Sequence, residues 1–302
     1  AMQLVSMMKV NNKRREDNSF RAAADRFIEA ARLERRPSTV DNYRTAVRSF
    51  QRFLGGRDIG CGDVTDATIR QYAKWLGDEG VCPNTRSCYM RSLRRVMTGC
   101  GIDTAGLVSG IFTGNAKTRK RAIDAADIDK LARLTLQQGT FRAMARDLFL
   151  FSFFALGMPF ADMAYLRKEQ VSDGYLTYHR RKTGQTVRVR VEPCMQQIID
   201  RYSRDDSPYL LPLLTGGDAA TADRQRRRML NRYNRTLKVL ARQAGITCHL
   251  TSYPPRHSWA TLAYSRSVDL PVIAQALGHT NPQTTLIYIR EIDTERLDNA
   301  NR

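Results

Sequence analysis

At 302 residues, with 49 Lys+Arg against 30 Asp+Glu, the chain carries a formal charge of +19 and a pI near 10.1. That length is long for one core, so two domains are expected, and the charge points to a polyanionic partner. The six cysteines (Cys61, Cys82, Cys88, Cys100, Cys194, Cys248) form no CxxC pair and have no histidine at ligand spacing. This argues against a metal site or a disulfide framework and for reduced thiols in a cytosolic protein. No apolar run reaches membrane-spanning length and the start lacks a signal peptide's apolar stretch, so no membrane partner is expected.

The basic excess is shared: residues 1–121 carry net +11 and residues 122–302 net +8. Two basic halves suggest two surfaces facing the same charged partner. Residues 1–16 read as a basic N-terminal arm. Residues 17–113 read as a small helical bundle. Its first helix carries Phe20, Ala24, Phe27, Ile28 and Ala31 at helical spacing. A second starts at Pro37-Ser38-Thr39 and a third near Thr65. The fourth follows Pro83-Asn84. The opposite faces carry Arg44, Arg48, Arg91, Arg94 and Arg95, which become candidate DNA contacts. Single-sign clustering costs repulsion unless an anion relieves it.

Residues 114–121 read as a basic linker, small and polar without apolar periodicity, and contribute Lys117, Arg119, Lys120 and Arg121 as further DNA contacts. Beyond it, helices are predicted over 122–136 and 141–156. Residues 174–179 and 187–191 alternate at period two around Arg180-Arg181-Lys182-Thr183-Gly184-Gln185, which predicts a hairpin with a cationic turn. Arg180 and Arg181 join the candidate DNA contacts there. Helices over 193–203, 221–244, 256–266, 270–277 and 282–289 complete the chain. The fold class is mainly α with a small antiparallel β-sheet.

The closing stretch RHSWATLAYSRSVDLPVIAQALGHTNPQTTLIYI places Arg256, His279 and Tyr288 in short patterned segments. Arginine and histidine bind a phosphodiester, and a tyrosine hydroxyl can attack one. A phenol is a weak nucleophile near neutral pH, so it needs cationic and proton-accepting neighbours. Phosphodiester cleavage by tyrosine requires the non-bridging oxygens neutralised, the phenol deprotonated and the leaving 5′-oxygen protonated. Arginine suits the first task through its planar fork.

Lys182 in the hairpin turn, Arg256 in RHSWAT, His279 in LGH and Tyr288 nine positions later together resemble the tyrosine recombinase (phage integrase) family. Residues 17–113 resemble that family's helical core-binding, SAM-like domain, which leaves 122–302 as an α+β catalytic domain with a C-terminal exchange tail. The resemblance implies that Tyr288 forms a 3′-phosphotyrosine link. Arg256 and His279 would hold the phosphate, and Lys182 would protonate the 5′-oxygen. It implies no cofactor. The partners would be double-stranded DNA and copies of the same chain, a dimer on one site and a tetramer in synapsis, in a nucleoid-associated bacterial cytoplasmic protein.

Two departures from the family pattern stand out. Pro159, in Gly157-Met158-Pro159-Phe160-Ala161-Asp162, occupies the place of an arginine, as in Bacteroides-type members that lack it. Tyr253, in Tyr253-Pro254-Pro255-Arg256, replaces a histidine and is a candidate hydrogen-bond donor to phosphate. Arg180, Arg181, Arg142 and Arg146 are the cations available to fill the first gap. The leading expectation is a site-specific recombinase of integrase, transposase or invertase type. The alternatives are a DNA-binding protein that has lost cleavage and a type IB topoisomerase-like enzyme.

Overall fold

The structure is a computed structural model that describes residues 18–107, 109–116, 122–281 and 283–289. The chain forms two compact units, Ala1–Thr118 and Arg119–Arg302. Mainly helical architecture with one small antiparallel sheet is found, as expected.

The first unit holds α1 (Phe20–Glu34), α2 (Pro37–Phe53), α3 (Asp66–Asp78) and α4 (Pro83–Gly99). Its helix starts follow local chemistry. Ser19 Oγ accepts from the Ala22 amide at 3.0 Å, and Thr65 Oγ1 from the Thr68 amide at 3.3 Å. Pro37 and Pro83 occupy first-turn positions, where a missing N–H costs nothing. The apolar stripes meet in a core where the Phe20 and Tyr72 rings pack edge-on against Phe50 at 5.6 and 5.2 Å.

The expected linker is partly structured. The Ala116 amide donates to Asn84 Oδ1 at 2.7 Å, Ser87 Oγ to the Gly114 carbonyl at 2.5 Å, and Arg91 Nη1 to the Thr113 carbonyl at 2.5 Å. Residues 113–116 therefore dock on α4. Polar composition marked them as a loop, but a loop whose main chain finds side-chain partners does not hang free. Lys117, Arg119, Lys120 and Arg121, the arm 1–16 and the tail from 290 onward lie outside the described residues.

In the second unit, Asp124 accepts from the Asp127 amide at 2.8 Å and caps α5 (Ala125–Ala132), which is shorter than predicted. Its expected last turn is not helical; Leu134 and Leu136 pack on the core from irregular backbone. The core is built around α6 (Phe141–Phe154), whose Leu148, Phe149 and Phe151 are fully buried. Asp147, also buried, accepts from Arg146 at 2.8 Å, from Arg201 at 2.7 Å and from the Tyr202 hydroxyl at 2.7 Å, which fixes α8 (Pro193–Tyr202) to α6.

Between them lie α7 (Phe160–Met163) and an antiparallel sheet in the order β1 (Val171–Ser172), β2 (Tyr175–His179), β3 (Thr186–Arg190). The β2–β3 register pairs Tyr178 with Val187 and His179 with Thr186. Leu176, Tyr178, Val187 and Val189 are buried while Thr177 and Arg188 face out, the period-two pattern read from the sequence. Then follow α9 (Ala219–Gln243), α10 (Pro254–Ser265), α11 (Leu270–Ala276) and α12 (Gln283–Leu286). Helix α12 stops short of the predicted 289, and the Tyr288 amide closes a turn onto the Thr285 carbonyl at 2.9 Å. Among the described residues, no helix is long and apolar enough to cross a membrane.

Candidate active site

Arg256 sits in the first turn of α10, 3 % exposed. A buried guanidinium needs acceptors, and main-chain carbonyls supply them: Nη1 donates to Gly157 at 3.2 Å and Nη2 to Leu277 at 2.6 Å. Gly157 adopts φ +68°, and a Cβ there would lie 2.6 Å from Arg256 Cα. Only glycine lets this loop approach α10 so closely.

His279 follows the end of α11. Its Nε2 accepts from Arg256 Nη2 at 3.0 Å, which places the ring proton on Nδ1, facing Thr285 Oγ1 at 2.9 Å. Burial, then the positive charges of Arg256, Arg180 and Lys182, push the imidazole down to about 4. The ring is thus neutral near pH 7. Arg256 is itself lowered from its ordinary range, first by burial and then by Arg180.

Tyr288 completes the cluster from the turn after α12. The Arg256 guanidinium carbon lies 5.2 Å from its ring centroid, with the His279 ring at 5.1 Å and the His257 ring at 4.7 Å. Its hydroxyl is 2.7 Å from that of Tyr253. Its carbonyl lies 3.3 Å from both His257 Nδ1 and Thr261 Oγ1, so α10 also holds the main chain in place. Four residues expected at the site from sequence, Tyr253, Arg256, His279 and Tyr288, are thereby brought together.

The hairpin turn reaches the same place. The exposed Lys182 is close enough to act electrostatically on His279. Thr183 Oγ1 donates to the Gly278 carbonyl at 3.2 Å and the Arg181 amide to Asp162 Oδ1 at 2.9 Å, which ties the turn to α11 and α7. Arg180 differs from expectation. The cationic turn predicts a DNA-facing side chain there, yet Arg180 is 6 % exposed. Its Nε donates to Asp162 Oδ2 at 2.6 Å and its Nη1 to the Leu277 carbonyl. Gly278 makes room: at φ +62°, a Cβ would lie 2.8 Å from Arg180 Cγ. Arg180 continues the inward parity of Leu176 and Tyr178, and its amide bond to the Gln185 carbonyl at 2.8 Å extends the hairpin by one more pair. Arg181 remains exposed, its guanidinium 3.7 Å above the Tyr165 ring.

Residues 123–295 match the family described as "Phage integrase family", and residues 19–99 match the "Phage integrase SAM-like domain". The chain belongs to the phage integrase family. Among relatives, the "Tyrosine recombinase XerC" of Chromohalobacter salexigens is 28 % identical over 92 % of this chain and 94 % of its own. The "Tyrosine recombinase XerD" of Bradyrhizobium diazoefficiens is 26 % identical over 86 % of this chain and 88 % of its own. Among solved structures, a lambda integrase tetramer bound to a Holliday junction has TM-score 0.69 at 16 % identity, covering 91 % of this chain and 79 % of that one. The Tn1549 transposon integrase in complex with transposon right end DNA has TM-score 0.62 at 12 % identity, covering 92 % and 98 %. These two share its fold.

Within this integrase fold the first-unit arginines have varied surroundings. Arg48 and Arg94 are exposed; Arg44 pairs with Glu29 at 3.4 Å, Arg91 holds the 113–116 segment, and Arg95 lies 5.6 Å over the Phe27 ring. Sequence reasoning missed a stronger basic surface. Arg224, Arg228, Arg232, Arg235, Lys238 and Arg242 are all exposed on α9. Their three- and four-residue spacing was readable from the sequence but was absorbed into the assignment of the helix.

Proposed function

We propose that the chain is a site-specific DNA recombinase of integrase, transposase or invertase type, acting through a 3′-phosphotyrosine intermediate. What carries this reading is the meeting of Arg256, His279 and Tyr288, from three separate stretches, around one phenol. The Tyr288 oxygen attacks the scissile phosphorus, the bond from phosphorus to the 5′-oxygen breaks, and the 5′-oxygen leaves with a proton from Lys182. The phenol's own proton passes to solvent water as the ester forms, while the 5′-oxygen takes its proton from Lys182, so protons balance and the new ester keeps the energy of the broken bond. Arg256 neutralises and hydrogen-bonds the non-bridging oxygens, and the neutral His279, whose Nε2 accepts from Arg256, holds that guanidinium in place. Tyr253 positions the nucleophile through its hydroxyl contact at 2.7 Å. Arg48, Arg94 and the α9 cations grip duplex DNA. Chains assemble as a dimer on one site and a tetramer in synapsis, as in the lambda integrase structures. Pro159 supports a place among the Bacteroides-type members.

The test uses nicked duplexes tiled over the DNA flanking the gene. One of them is expected to trap a covalent protein–DNA adduct, lost in Tyr288→Phe with site affinity unchanged. Pro159 also favours a second reading, a DNA-binding protein without cleavage. Specific binding with no adduct from the wild-type chain would select that one.

A further inference from the structure

Two buried guanidiniums meet at one oxygen in this site: Arg256 Nη2 and Arg180 Nη1 both donate to the Leu277 carbonyl. The imidazole of His279 adjoins them, and Lys182 adds a further positive charge to its surroundings. Asp162, itself 5 % exposed, offsets the charge through Arg180 Nε. One buried carboxylate against two buried guanidiniums leaves the pocket positive, an arrangement that favours the entry of an anion.

Two of the other three candidate cations are engaged elsewhere. Arg146 donates to Asp147 and to the Leu134 carbonyl, both at 2.8 Å. Arg181 lies over Tyr165 and Arg142 is exposed at the start of α6. Pro159, just ahead of α7, provides no charge, while Asp162 three residues later takes hold of the hairpin instead.

We infer that Arg180, entering from the β2–β3 turn and oriented by Asp162, is the second phosphate-gripping guanidinium of this site. Its Nε is fixed by a carboxylate, so its terminal nitrogens present a defined edge beside those of Arg256. Two such edges can take both non-bridging oxygens of a phosphodiester. This assignment rests on the phosphoryl-transfer reading above. Asp162 would be a positioning residue, acting through Arg180.

The experiment uses the full-length chain and the nicked duplex on which the wild type forms an adduct, made with either a native phosphate or a charge-neutral methylphosphonate at the scissile position. Arg180→Ala is expected to slow adduct formation by about 100-fold on phosphate, with affinity for the duplex within about threefold. On methylphosphonate, where less charge needs neutralising, the deficit should shrink below about tenfold. Asp162→Asn, which retains the size of the side chain, should show a smaller loss with the same substrate dependence. Wild-type rates in Arg180→Ala would overturn the assignment, as would deficits in both variants that are equal on the two substrates. A wild-type chain that makes no adduct would sink the recombinase reading with it; wild-type adduct insensitive to residue 180 sinks this inference alone.

Discussion

His279 shows how one residue's surroundings set its chemistry. Burial and three neighbouring cations hold it near 4, whereas an unfolded chain titrates histidine at about 6.5. Between those values the unfolded chain binds the extra proton. The contribution to stability is therefore complete above about pH 6.5 and drains away as pH falls towards 4, softened by partial solvent access. Urea denaturation of His279→Asn should show a flatter pH dependence over that interval than the wild type; parallel curves would assign the slope to other groups. The same residue marks what the sequence disclosed. His279, Arg256 and Tyr288 were legible because their order and spacing are themselves the signal. The burial of Arg180 had only its parity with Leu176 and Tyr178 to announce it, because its anchors are Asp162, 18 residues earlier, and a carbonyl 97 residues later. Main-chain acceptors such as Gly157 and Leu277 leave no trace in side-chain identity.

Among elements, those with local stop and start chemistry were readable. Ser19, Thr65, Asp124 and Thr140 accept amide hydrogen bonds at helix starts, and alternation revealed β2 and β3. The two-residue β1 carries no pattern of its own and exists because Val171 pairs with Leu176. The loop between α6 and α7 is the element on which the site depends most. In Gly157→Ala the new methyl would meet Arg256 Cα at 2.6 Å while holding φ +68°. A cost of about 2–3 kcal/mol in urea denaturation is expected, with adduct formation slowed more than about tenfold. Gly174→Ala is the matched control: φ is +75° with nothing within 4 Å of the added carbon, so strain alone should cost about 1 kcal/mol and leave the rate intact. Equal effects from the two variants would remove the close-approach argument.

At the scale of the molecule, +19 is distributed over both units, and α9 concentrates it. From Arg224 to Arg242 the stripe runs about 27 Å along the helix axis, close to eight base-pair steps of duplex. On the proposed reading, Arg228→Glu with Arg235→Glu should weaken binding to all duplexes alike and flatten the salt dependence of log K by about two phosphate contacts' worth, measured by fluorescence anisotropy from low to moderate salt. An unchanged slope would place α9 away from DNA. The carbonyls of Gly157 and Leu277 carry one last implication. Peptide oxygens are the same whatever side chain they accompany, so substitutions at residue 277 that keep its packing leave the anchor in place. Leu277 itself can be respelled where Gly157 and Gly278 cannot, and spacing binds as tightly as identity: one inserted residue between Leu277 and Tyr288 would move the nucleophile off its arginine.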